Sequence, residues 1–185
     1  MIKYLDEIKE DVIPDIAKKM AAAAITAPKA SGKDKVVTAI VSGEEKDAIV
    51  KKLHELCREY DEPFLGRDAG CLNACSHAVL IGVRAEPFSL DNCSMCGFET
   101  CSEMKSAGAN CALNITDLGI AIGSAVSIAA DNRIDNRVMY SIGKAVSQMK
   151  IFPDDVRVCY GIPLSVSSKS IFGSSNTYCN RCWSS

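Results

Sequence analysis

A chain of 185 residues and 19.8 kDa has the length of one domain or two very small ones. Hydrophobic residues make up 48% of it and charged residues 24%, a globular balance that excludes wholesale disorder. With 21 basic and 23 acidic residues the net charge is −2, no long basic block is present, and aromatics are 6%. Neither a broad nucleic-acid face nor a base-stacking platform is therefore expected.

Residues 1–26 read as helical, with Pro14 either starting a second helix or kinking one. Ile16, Met20 and Ala23/Ala24 supply the apolar stripe. Pro28 stops it, and Ala30-Ser31-Gly32-Lys33 reads as a loop. Val36 to Val41 is β-branched and reads as a buried strand. Ser42 and Glu45 have the spacing of a capping box for a helix with Ile49, Leu53, Leu56/Cys57 and Tyr60 on one face. A loop around Pro63 precedes a second short strand, Ala78 to Val83.

The stretch from Ala85 to Asn110 is rich in Cys, Ser, Met and Gly and has no clean period. Two helices follow. The first carries Leu118, Ile122, Ala125/Val126 and Ala129 on one face and a small-residue ridge of Gly119, Gly123 and Ser127 on another. The second, with Asp135 as its cap, shows Val138, Ile142, Ala145 and Met149. Val156 to Tyr160 is a third strand, and the last dozen residues read as irregular. With no internal repeat and no linker, one α+β domain over 1–185 is expected, with 85–112 as a Cys-rich segment inside it.

Ten cysteines stand out. The charged start Met1-Ile2-Lys3-Tyr4-Leu5-Asp6-Glu7 lacks the apolar core of a signal peptide. The run from Ala112 to Ala130 contains Asn114 and Asp117 and is read as falling short of a membrane span. A cytoplasmic protein with reduced or metal-bound thiols is the expectation.

Cys93, Cys96 and Cys101 fall within nine residues interrupted by Gly97, and Cys111 lies downstream. Such spacing lets a short chain wrap one soft centre, with the fourth ligand from further along. Thiolates favour iron–sulfur clusters, zinc or copper(I) over hard cations. The order matches neither familiar ferredoxin spacing, and zinc more often uses two separated C-x2-C knuckles. The residues alone leave open a [4Fe–4S] cluster, a structural zinc, and thiols that work as a redox or metal sensor.

Cys57, on an apolar helical face, and Cys159, in a strand, read as structural. Cys71-x3-Cys75 and Cys179-x2-Cys182 read either as a second four-thiolate site, with the terminal pair as an alternative dithiol, or as local packing plus an oxidisable tail. His77, close to Cys75, is a candidate ligand weighed against a plain polar residue, and His54 reads as surface. No G-x-G-x-x-G, P-loop or G-x-S-x-G is present. Asp154-Asp155 reads as a solvated loop and Glu44-Glu45 as a helix N-terminus.

The motif Cys93-x2-Cys96-Gly97-Phe98-x2-Cys101 resembles the compact four-iron module of electron-transport complex subunits and corrinoid iron–sulfur proteins. The order of elements resembles a minimal nitroreductase-like FMN-binding fold: the Ala27-Pro28 turn, the helix containing Asp117-Leu118-Gly119-Ile120-Ala121, and the final Gly161-Ile162-Pro163. From about Ala21 to Phe172 the chain resembles a family of bacterial and archaeal ferredoxin-domain-containing proteins, most clearly in Asp117 to Ala125 and in Asp135 to Ser141. These resemblances imply a nitroreductase-like α+β fold, a small sheet packed by long helices with a Cys-rich insertion. They also imply a [4Fe–4S] cluster on Cys93, Cys96, Cys101 and Cys111. FMN would lie against Pro28 with its phosphate near Lys29 or Lys33, where nitroreductases carry an Arg-rich segment instead.

The function expected is electron transfer or an oxidoreductase reaction, with a redox protein as partner. A homodimer is expected because the Asn114–Ala130 helix is apolar nearly all round and one small sheet covers only one of its faces.

Overall fold

The structure, a computed structural model, describes residues 1–173. The first helix, α1 (Leu5–Thr26), starts with Tyr4 as its cap, whose N–H donates to the Glu7 carboxylate at 3.1 Å. Pro14 lies inside this single helix, which buries Ile13, Ile16, Ala17, Met20 and Ala24. A one-turn 3₁₀ segment, Ala30–Gly32, leads to β1 (Val36–Ser42) and α2 (Gly43–Tyr60). Next come α3 (Pro63–Asn73), β2 (His77–Arg84), the short α4 (Cys101–Ser106) and α5 (Ala112–Asp131). The described chain closes with β3 (Asp135–Asn136), α6 (Tyr140–Gln148) and β4 (Val156–Ser165).

The four strands form one antiparallel sheet in the order β1-β2-β4-β3. Val36 faces Val83 across β1 and β2, and His77 faces Leu164 across β2 and β4. Strand β2 is buried on both faces, and its side chains alternate between two cores. Ala78 and Leu80 join Leu53, Leu56, Leu72 and Ile142 under α2, α3 and α6. Val79 and Ile81 join Met20, Leu118, Ala125 and Ile162 under α1 and α5. This two-sided burial is why Ala78 to Val83 is an unbroken apolar run in the sequence. Helix α6 crosses β4 so closely that a Cβ on Gly143 would lie on top of the Cys159 carbonyl, and one on Gly161 would strike Ile142.

Several expectations are corrected. The region around Pro63 is helix, not loop, because Pro63 occupies the first turn, where its missing N–H costs nothing. Ser42 caps α2 by position only, since its side chain makes no capping bond. Asp135 lies in β3, and Met139 takes the cap position of α6, leaving Val138 39% exposed. Strand β1 is an edge strand with Ile40 exposed, not a buried one. Helix α5 is long and apolar enough, by length and composition, to cross a membrane. What places it in the protein is packing, with Leu118, Ala121, Ala125 and Ala129 buried against α1 and the sheet. The terminal Cys179 and Cys182 lie outside the described residues.

Candidate metal centre

The Cys-rich segment leaves β2 at Arg84 and returns at the amino end of α5. Its exit is fixed by the Ala85 N–H, which donates to the Asp155 carbonyl at 2.7 Å, and by an Arg84–Asp155 ion pair at 2.5 Å. Asn114, buried in the first turn of α5, donates from Nδ2 to the carbonyls of Arg84 (3.0 Å) and Glu86 (2.9 Å). Its Oδ1 is buried without a partner among the described residues.

Within the segment the backbone is tightly wound. Ser89, Asn92 and Ser94 have positive φ, and Gly97, at φ +84°, donates its N–H to the Ser94 carbonyl at 2.9 Å. That turn brings Cys93 and Cys96 round to one pocket. Only glycine takes such a φ without strain, which explains Gly97 directly after Cys96. Thr100 caps α4 by accepting from the Glu103 N–H at 3.2 Å and sets Cys101 as its first residue. Cys111 is the cap residue of α5, at a helix end that favours negative charge on a ligand.

The return strand of this hairpin-like excursion is anchored from β4. Arg157 donates to the carbonyls of Ala109 (3.2 Å) and Gly108 just after α4. Met104, Phe88 and Cys111 form a small buried cluster, with Cys96, Phe98 and Leu113 packed against it. Cys93, Cys96, Cys101 and Cys111 therefore line one pocket with Met104, Phe98 and Leu113 among its walls. All four are free thiols. The first three are half-buried and Cys111 is buried. The donor set is soft and its walls largely apolar, which fits a thiolate-bound metal group. Among the described residues no three His, Cys, Asp or Glu side chains are drawn together tightly enough to hold a single ion.

The remaining cysteines are different. Cys71 and Cys75 are buried in the core under α2 and α3, and Cys159 lies on β4 in the same core. Burial pushes both Cys75 and Cys159 up to about 12. Cys57 is half-buried against that core. His77 contacts the Ser76 hydroxyl at 3.0 Å, burial lowers its pKa, and it is not at the thiol pocket. His54 is half-buried rather than fully on the surface.

The two nitroreductase-like motifs meet in space. The Ala30 N–H donates to both Asp117 carboxylate oxygens, at 2.9 and 3.2 Å, which clamps the Ala27–Gly32 turn to α5. Pro28 and Lys33 are exposed on that turn. Lys29 is not: its ammonium donates to the carbonyls of Ala24 (3.1 Å), Ile25 (2.5 Å) and Ala27 (2.7 Å), capping the end of α1. Its side chain is 5% exposed and engaged as this cap.

Residues 107–173 match the family described as uncharacterized protein containing a ferredoxin domain. An uncharacterized protein of Archaeoglobus fulgidus is 39% identical over 158 residues, spanning 81% of this chain and 85% of the relative. The chain belongs to this ferredoxin-domain family. Cys111 lies within the matched residues, whereas Cys93, Cys96 and Cys101 precede them.

Solved structures place the fold of this family member among nitroreductases. A nitroreductase family protein from Clostridium novyi NT is 16% identical, with TM-score 0.58, covering 82% of this chain and 73% of that one. A structure described as an oxidoreductase containing FMN is also 16% identical, with TM-score 0.56, covering 84% and 67%. The α+β sheet with long helices on both faces is thus the nitroreductase fold, and the Cys-rich segment is set between β2 and α5.

Three residues of the site were not singled out by sequence reasoning. Asn114 and Arg157 reach the segment only through tertiary contacts, and Arg157 lies 46 positions after Cys111 in a strand whose return path no local pattern reveals. Met104 reads as an unremarkable apolar residue until α4 is seen.

Proposed function

We propose that the chain is an iron–sulfur redox protein in which Cys93, Cys96, Cys101 and Cys111 hold one [4Fe–4S] cluster. The observation that carries this reading is the convergence of four free thiols on one apolar-walled pocket. An all-thiolate donor set suits iron–sulfur and zinc alike, and membership of a ferredoxin-domain family favours the iron–sulfur group. Such a cluster, when bound, supplies one-electron transfer. The residues of the chain bind and orient it: the Ser94–Gly97 turn and the α4 cap set the ligand directions, and Phe88, Met104 and Leu113 exclude water. A redox protein, meeting the half-buried thiols beside exposed Met95 and Leu90, would exchange the electron in the cytoplasm. Anaerobic purification with iron, sulfide, zinc and flavin analysis tests this. Brown protein with iron and sulfide in equal amounts supports it, and colourless protein with stoichiometric zinc sinks it in favour of a structural zinc module.

Two further parts of the reading rest on the fold. FMN would give the oxidoreductase form, with flavin linking one-electron and two-electron steps. On this reading exposed Pro28 would meet the ring and exposed Lys33 the phosphate, with Lys29 engaged instead as the cap of α1. Flavin fluorescence titration at tens of micromolar checks it, and no quenching there would leave a bare cluster protein. A homodimer would cover the face of α5 that carries exposed Ile115, Gly119, Ile120 and Gly123. Light scattering decides this: a mass near 19.8 kDa at micromolar concentration, with the cluster intact, defeats the dimer.

A further inference from the structure

Lys35 precedes β1 and extends its ladder, its carbonyl accepting from the Arg84 N–H at 3.0 Å. Its side chain turns into the Cys-rich segment. The ammonium donates to the carbonyls of Glu86 (2.5 Å) and Pro87 (3.0 Å) and stands 4.1 Å from the centre of the Phe88 ring. Phe88 is 4% exposed and packs in the same small cluster as Met104 and Cys111. Three consecutive residues of the segment thus hold one cation against the wall that buries the fourth thiol.

Two carboxylates, Glu86 and Asp117, also act on this cation. Asp117 is engaged by the Ala30 N–H, and the Glu86 carboxylate is 68% exposed and turned to Lys105 at 3.9 Å. Burial lowers the Lys35 pKa, and among the groups opposing that shift Cys111 acts most strongly, ahead of Glu86 and Asp117. Lys33 and Lys105, by contrast, are exposed to water and salt, where a charge is felt weakly at a distance.

We propose that Lys35 is a positioning residue whose fixed positive charge beside Cys111 raises the reduction potential of the iron–sulfur group. The inference rests on the cluster reading above. A cation held close to a cluster lowers the cost of adding an electron there, and local charge is one of the levers that set cluster potentials. A tether that only held Glu86 to Phe88 in place would alter stability and leave the potential where it is.

The test is a redox titration, followed by electron paramagnetic resonance, of the full chain loaded with iron and sulfide. Lys35→Gln keeps an N–H donor for the carbonyls and removes the charge; Lys35→Arg keeps both. At the wild-type midpoint the reduced-to-oxidised ratio is one, and in Lys35→Gln it should fall about tenfold, equivalent to 59 mV for a one-electron couple. Lys35→Arg and Lys105→Met should stay within about twofold. Lys35→Met gives a second charge-free variant should glutamine disturb loading. An unshifted ratio in either fully loaded charge-free variant overturns the inference, as does an equal shift in Lys35→Arg. Wild-type protein free of iron and sulfide overturns the cluster reading itself, and this inference with it.

Discussion

The thiols of this protein occupy two environments that use the same side chain in opposite ways. Around α3 and β4, Cys71, Cys75 and Cys159 fill small spaces among Leu53, Leu56, Leu72 and Ile142, in a core shut by α6 lying on β4. Between β2 and α5, the segment holding Cys93, Cys96, Cys101 and Cys111 has only Pro87, Phe88, Met104 and Cys111 truly buried. The core supplies its own stability, at about 1.5–3 kcal/mol for each large apolar side chain buried. The segment cannot: it relies on a few hydrogen bonds from Asn114 and Arg157, and on whatever its thiols bind. A cysteine in the first setting acts as a small hydrophobe, and one in the second, on the function proposed above, as a ligand.

The strongest way to break that division is to remove thiols from each side. Cys93→Ala, Cys96→Ala, Cys101→Ala and Cys111→Ala should each lose essentially all bound metal while circular dichroism keeps the helices. Cys57→Ala and Cys71→Ala should retain metal content, so equal loss on both sides would contradict the division. Next in size is Gly143→Ala, where the new methyl meets the Cys159 backbone and neither element can retreat. A loss of more than about 3 kcal/mol in urea titration is expected, with little soluble protein recovered. Met104→Ala should cost about 2–3 kcal/mol and act locally, speeding hydrogen exchange in 85–111 and leaving β2 protected.

The smallest effect sharpens the comparison by pH. Cys75 and Cys159 keep their protons up to about pH 12 when folded, against an ordinary thiol value of 9.0. Above pH 9 the unfolded chain gives up protons that the folded one retains, so folding loses stability between pH 9 and 12. At pH 10 each thiol contributes about 1.4 kcal/mol of that loss. Cys159→Ala should flatten the fall in urea midpoint between pH 9 and 10, relative to the same variant's value at pH 8. An identical slope would mean that Cys159 ionises freely in the core.

Much of this was legible in the sequence, for physical reasons that differ by element. Strand β2 declared itself because both its faces are buried, and α2 because Ile49, Leu53 and Leu56 keep a helical period. Helix α3 did not, since Pro63 read as a loop although the proline sits where a helix tolerates it. Asp135 looked like a cap because its type suits one, yet pairing with Ser165 in β3 takes precedence. At the site, Cys93, Cys96 and Cys101 were visible from spacing and Gly97, and Cys111 as the cysteine that lies downstream of them. The Lys29 cap, the Asp117 clamp and the Arg157 anchor were not, because each depends on which elements meet in space.

The central claim is that the four thiols of residues 93–111 share one polynuclear centre. X-ray absorption at the iron and zinc edges of anaerobically purified full-length protein addresses it most directly. Iron ligated by sulfur with an additional iron–iron shell is expected, lost in Cys96→Ala and kept in Cys71→Ala. Zinc with a single sulfur shell at about 2.3 Å and no metal–metal scattering would contradict it.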